Sequence, residues 1–456
     1  MTVGSGTGRS GTGRAVAGPS GGAGSETHAG IVRMALPLAA AAAITPLLSF
    51  VDTWALRTLP DPHHLGAFGV STMLFNYVLW GFVFLRFSTV GLAAQAIGAG
   101  DVAEERRVVV RSVVLAVLMA VLVVGATLLV LDPAVDAFSS SPAVAEEARA
   151  YMLVRVWSLP AAFANYVFLG WLLARRRMAL SFALEGVRAI VWVVAVLVLA
   201  RGFGLGLTGV AIGSTLAEWV GLAVTLVAVR REWPAAAGRG WAGVLRWDAF
   251  RRILGISADL FVRTQALLVA FLGFTAAGAA FGDVTVAANA VLMNLYLLLA
   301  YGLGGFGQVV STLVGQAVGA HDGAALRMAL RRTMTVSVVS AGVLSGVTLV
   351  VGPAMIDALT GIPAVRETAT VYLPYVAALS LLSVGAFLLD GAAIGATRTA
   401  LLRNVLIASM GVYGVLHLTL PGLAGNHGTW IAFAAFMGAR SAGYLVVLPR
   451  LRRVAD

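Results

Sequence analysis

Asp52 is a carboxylate inside an apolar run, 34–56, long enough to cross a bilayer as a helix. Six residues before it stands Pro46, which removes a backbone donor and crowds the carbonyl of Ala42, so a hinge is expected there. The flanking Arg33 and Arg57 put the middle of the span near Thr45 and Asp52 ~10 Å from it. Half the hydrocarbon thickness is about 15 Å, so the carboxyl is expected below the headgroups. An ionisable group at that depth points to function: a carboxyl that binds and releases a proton or cation beside a helix able to bend. The plainer alternative is a helix-end Asp that reaches water among the headgroups.

Other charges lie at membrane depth. Glu218, near the middle of the sixth span, reads either as a second proton site or as a structural acid paired with Arg155 or Arg188. Asp259 and Arg263 are spaced for an ion pair on one helix, and Glu185 and Arg188 have the three-residue version of that geometry. Arg86 is expected to hold a cleft in place, and Asp390 to tie down Arg398 or a neighbouring loop. Arg440 has no evident partner. Acids 52, 185, 218, 259 and 390 face arginines 86, 155, 188, 263 and 440, so the interior is neutral and does not demand a cationic substrate. Phe50, Trp54, Tyr77 and Trp80 could line a cleft for an amphipathic molecule; taken singly, each also fits a lipid-facing or packing role.

Other chemistry finds no support. The chain has no Cys, no P-loop and no Gly-x-Ser-x-Gly elbow, and His63-His64 lies in an external loop without a metal-ligand pattern. No enzyme, resident metal or cofactor is expected beyond a coupling H⁺ or Na⁺, and no motif makes ATP the energy source.

The elements that must position these groups are membrane helices. Hydrophobic residues make up 59% and charged residues only 12%, with a mean hydropathy of +0.90. A soluble chain could not cover that much apolar surface, so an all-α polytopic membrane protein is expected. Twelve spans read at about 31–56, 67–97, 107–131, 147–173, 179–200, 206–230, 251–277, 284–316, 326–351, 367–394, 399–420 and 427–448. The formal charge is +11 with no Lys, and the arginines gather in alternate loops: 106, 107 and 111; 175–177; 327, 331 and 332; 398 and 403. Both termini are therefore expected in the cytoplasm of a cell-membrane protein, and nucleic acid is a poor inference from the basic balance. Pro142 and Pro363 read as external loop breakers.

A Gly/Ser/Thr-rich tail, 1–30, precedes a first half, 31–230; a connector, 231–250, leads to a second half, 251–448, and a short tail, 449–456. The halves repeat: Gln95-Ala96-Ile97-Gly98-Ala99-Gly100-Asp101 recurs as Gln316-Ala317-Val318-Gly319-Ala320-His321-Asp322, and Arg177 and Arg398 keep the same offset of 221 residues. Six spans per half give a parallel repeat, two pseudo-symmetric six-helix bundles with a transport cleft between them.

These residues resemble the multidrug and toxic compound extrusion (MATE) transporters, in their DinF-like branch. The matching stretches include Val51-Asp52-Thr53, Leu85-Arg86-Phe87-Ser88-Thr89, Leu169-Gly170-Trp171, Ala217-Glu218-Trp219, Asn289-Ala290-Val291 and Leu389-Asp390-Gly391. The resemblance implies an outward-open V of two lobes, efflux of drugs driven by entering H⁺ or Na⁺, and a cation site on Asp52 with Asn165 and Ser214 near it. Where many relatives carry Asn and Asp on the fifth span, this chain has Ala189, Trp192 and Val196, which weakens a Na⁺ cage and leaves proton coupling as the simpler expectation. Second-lobe acids of some relatives appear as Gly304 and Ser311. The expected function is a monomeric antiporter of amphipathic small molecules; the alternative is a flippase of a lipid-linked precursor in the same superfamily.

Overall fold

The computed structural model describes residues 26–56, 61–234 and 246–452, almost all of them helical. Among them are twelve helices of membrane-spanning length: α1 (His28–Leu56), α2 (His63–Gly98), α3 (Val102–Phe138), α4 (Pro142–Ala174), α5 (Met178–Gly202), α6 (Gly206–Glu232), α7 (Trp247–Ala279), α8 (Asp283–Gly319), α9 (Gly323–Leu359), α10 (Pro363–Gly395), α11 (Thr399–Ala424) and α12 (Asn426–Arg452). Lipid supplies no hydrogen-bond partners, so each crossing closes its own backbone bonds as a helix.

The expected spans are all present, and several run longer. Helices α3, α8 and α9 have 37 residues each, ~55 Å at 1.5 Å per residue, so they overshoot the hydrocarbon at their ends. The first helix begins at His28, inside the stretch expected as a tail, and the last continues to Arg452. Most of the connector, 235–245, lies outside the described residues, as do 1–25 and 453–456. Pro142 and Pro363 are first helical residues rather than loop breakers, where a missing N–H costs nothing. The α1 backbone is helical on both sides of Pro46, whose side chain lies outside the described residues.

Three helices are interrupted inside the body. The second opens at Phe82–Val83, α4 tightens into a 3₁₀ turn at Val156–Ser158 ahead of Pro160, and α10 breaks at Ser383. Helix α5 ends in a π turn, Leu197–Gly202.

The two bundles meet through a nearly exact internal exchange at their arginine-rich ends. Gln95 of α2 donates to the Gly395 carbonyl at 2.9 Å, and Gln316 of α8 donates to the Ala174 carbonyl at 2.8 Å; both pairs obey the 221-residue offset. A methyl group on Gly98 would press into the Gln316 carbonyl and one on Gly319 into that of Gln95. Small residues here let the backbones of opposite bundles touch. The turns repeat as well: Gly100 (φ 68°) matches His321 (φ 53°), and Arg176 (φ 60°) matches Thr397 (φ 51°). A β-branched residue held at positive φ is strained, and Thr397 is held by bonds from Gln95 and Arg252, each at 3.2 Å. Arg176 also reaches across to the Gln316 side chain at 2.8 Å and pairs with Glu26 at 2.7 Å, while Arg332 of α9 donates to the Glu26 carbonyl. The segment just before α1 therefore touches both bundles.

Gly98→Ala and Gly319→Ala are expected to lower thermal stability in detergent by about 1–3 kcal/mol each, because a methyl group has to part the bundles. Gly342→Ala, with nothing within 4 Å, is expected to be neutral or stabilising, as a helix normally prefers Ala.

Candidate functional site: a charged cavity in the first bundle

Asp52 faces inward. Its residue is only 5% exposed, and it lines a cavity of about 310 Å³ built by α1, α2, α4, α5 and α6, with Tyr301 and Gln308 of α8 closing one side. One carboxylate oxygen accepts a hydrogen bond from the Trp192 indole N–H at 2.9 Å. This carboxylate has no ion-pair partner among the described residues. Its neighbour in charge is Arg155, which the 3₁₀ turn of α4 leaves buried at the break. Arg155 donates to the Ser158 hydroxyl at 2.6 Å and lies over the rings of Phe75 (4.1 Å) and Trp192 (4.9 Å). One indole thus binds the carboxylate through its edge and the guanidinium through its face.

Deeper in the cavity Arg188 holds two acids, Glu185 at 2.7 Å and Glu218 at 2.8 Å. The same-helix pair expected for Glu185 and Arg188 is present, and Glu218 takes Arg188 rather than Arg155. Arg86 reaches across the gap between bundles and donates to Gln308 at 2.9 Å. The ionised wall therefore holds Asp52, Glu185 and Glu218 against Arg86, Arg155 and Arg188, a formal balance of three and three. The Asn165 amide N–H points toward the Glu218 carbonyl at 3.4 Å, while its side-chain oxygen is buried with no hydrogen-bond partner. That leaves one free acceptor aimed among the charges.

Not every expected pocket residue is there. Ser214 turns its hydroxyl to the Val210 carbonyl of its own helix at 2.7 Å and does not line the cavity. A mid-helix serine readily bonds back one turn when no better acceptor is close. Phe50 is 68% exposed and lies outside the lining. Trp54 packs under Arg201 at 4.0 Å, also outside it. Tyr77 and Trp80 stand between the bundles: the Tyr77 hydroxyl donates to Gln265 of α7 at 2.8 Å, and Trp80 meets Tyr301 edge-on at 6.5 Å. Of the four aromatics only Trp80 lines the cavity. Sequence reasoning passed over Asn76, Tyr151, Tyr166 and Gln308, all of which do. A polar group in mid-span was the available signal for Asn76 and Gln308.

The second bundle corrects two pairings. Asp259 and Arg263 do not bind each other: Asp259 takes Arg403 at 2.6 Å and the Thr399 hydroxyl at 2.8 Å, while Arg263 goes to Asp390. A same-helix pair is worth only a few tenths of a kcal/mol, and each of these residues instead takes a partner on a facing helix. Asp390 does not bind Arg398, which is exposed. It sits between Arg263 and Arg440, the latter at 3.2 Å, so Arg440 has its counter-ion.

A family model described as MatE matches residues 37–199 and 264–418. The DNA damage-inducible protein F of Escherichia coli (strain K12) is 33% identical over 418 residues, 91% of each chain. Among solved structures, a multidrug resistance MATE family transporter of the MOP superfamily in an outward-facing conformation superposes with a TM-score of 0.83 at 17% identity, over 95% of this chain and 97% of that one. A MOP superfamily transporter from Pyrococcus furiosus, whose reversed pocket polarity was taken to suggest a different function, gives 0.83 at 16% identity over 96% and 97%. The folds agree from end to end, and the family match falls on both halves of the repeat. This chain belongs to the MatE family.

Proposed function

We propose that this protein is a secondary active antiporter that exports amphipathic small molecules in exchange for entering H⁺, with Asp52 as the coupling group. The observation that carries the reading is a buried carboxylate, with no ion-pair partner among the described residues, facing a charge-balanced cavity. Taking up a proton at Asp52 removes one of three negative charges, and the wall shifts from neutral to net positive. A bound amphiphile with cationic character loses its place at that step. The same proton weakens the charge-assisted bond from Trp192, a polar tie between α1 and α5, and eases the bending of α1 near Pro46.

Proton is favoured over Na⁺ by the partner of the carboxylate. Indole N–H is a donor only, so it supports a carboxylate but offers no oxygen to a cation. Glu218, bound to Arg188, fits the structural role better than that of a second proton carrier. A lipid diphosphate would require a strongly cationic cleft, which a wall of three acids and three arginines does not offer. The arginine asymmetry supports both termini in the cytoplasm of a cell-membrane protein, and nothing in the site requires nucleic acid or a second chain.

Asp52→Asn is expected to abolish dye efflux driven by an imposed pH gradient in ATP-free proteoliposomes, with thermal stability unchanged. A Na⁺ gradient alone is expected to drive none. Undiminished efflux by the variant, or equal efflux with Na⁺, would remove the coupling assignment. Arg188→Met should behave differently, losing about 3–5 kcal/mol of stability because two buried acids lose the cation that pairs with both, read as a lower melting temperature in detergent.

A further inference from the structure

At the opposite, arginine-poor end of the first bundle, three side chains converge that the transport cavity does not use. His63 and His64 lie in the first turn of α2, and Glu147 in the first turns of α4. The helices touch here, with Val144 beneath Gly66. One ligand atom from each of His63, His64 and Glu147 can be chosen so that all three lie within 4.8 Å of one another. His63 Nε2 is 3.4 Å from Glu147 Oε1, and His64 Nδ1 is 2.7 Å from the same oxygen. Two imidazoles and a carboxylate are a ligand set that suits zinc and its first-row neighbours. Tetrahedral bonds of about 2.0–2.1 Å place ligand atoms roughly 3.3 Å apart, a spacing that the His63–Glu147 pair already has.

A second observation concerns orientation. The other nitrogen of His63, Nδ1, is 2.8 Å from Asp61, the N-cap of α2, whose carboxylate also accepts from the His63 backbone N–H at 3.4 Å. A carboxylate that accepts a hydrogen bond from Nδ1–H leaves the Nε2 lone pair facing outward, toward Glu147. This is the carboxylate–histidine support that metal sites use to fix ring and tautomer. The three ligand side chains are 20–29% exposed, so an ion has a path in and water can fill a fourth position.

We propose that His63, His64 and Glu147 form a site for a divalent ion of the zinc class, supported by Asp61, which clamps the first turn of α2 to α4 at the mouth of the first bundle. The sequence pattern alone gave no such site, because two adjacent histidines lack the spacing of a metal motif and the third ligand lies 83 residues further on. The clamp is independent of the transport reading and stands or falls on metal binding alone.

The test uses full-length protein purified on a tag without histidines, stripped with chelator and titrated with Zn²⁺. One ion per chain is expected, with a rise in melting temperature that grows with free zinc. His64→Ala and Glu147→Gln should lose both, and Asp61→Asn should weaken binding about tenfold. Co²⁺ added to the unmutated protein should give a visible d–d band that Zn²⁺ displaces, which decides the question even if a variant folds poorly. No retained zinc and no cobalt band in the unmutated protein would overturn the site, as would equal binding by folded His64→Ala.

Discussion

A charge taken into an apolar twelve-helix body needs a counter-charge or a polar partner close by, and that requirement organises this structure. Desolvating an ion costs several kcal/mol even after relaxation, so side chains reach wherever a partner is available. Arg188 gathers Glu185 and Glu218 from α5 and α6, and Asp390 gathers Arg263 and Arg440 from α7 and α12. Each such cluster pins helices together at a defined rotation, which hydrophobic contact alone would leave loose in lipid.

Asp52 departs from that pattern. It is buried as deeply as the others, yet what binds it is an indole N–H and not a cation. The guanidinium next in line, Arg155, is held over the face of the same indole ring and by Ser158. A carboxylate with a neutral donor can change its charge without stranding an ion partner, whereas Glu218 cannot. That difference, more than depth in the membrane, is why the proposed coupling role falls on Asp52 and not on Glu218.

The two bundles share a scaffold and differ in what they do with it. Their arginine-rich ends exchange reciprocal bonds from Gln95 and Gln316 and reciprocal close approaches at Gly98 and Gly319. Above that common floor the first bundle keeps a cavity with six formal charges, while the second packs aromatics such as Phe274, Trp430 and Phe433 around the Asn289–Asn426 bonds. Duplication explains the shared floor. The interiors are free to diverge because each bundle encloses its own core.

Much of this was readable in the chain. The number of crossings, the parallel repeat, the alternation of arginines and the place of Asp52 on the first crossing follow from hydropathy, spacing and flanking charge, which are local properties. Glu185 with Arg188 was readable too, as both lie on one helix. The tertiary structure decided the rest: that Glu218 takes Arg188, that Arg440 belongs to Asp390, that Ser214 turns away and Trp192 turns in, and that His63, His64 and Glu147 meet. In lipid the outward face of a helix is as apolar as the inward one, so the sequence pattern carries little record of how each helix is rotated. Rotation, and with it every partner across a helix gap, is set only when the helices pack.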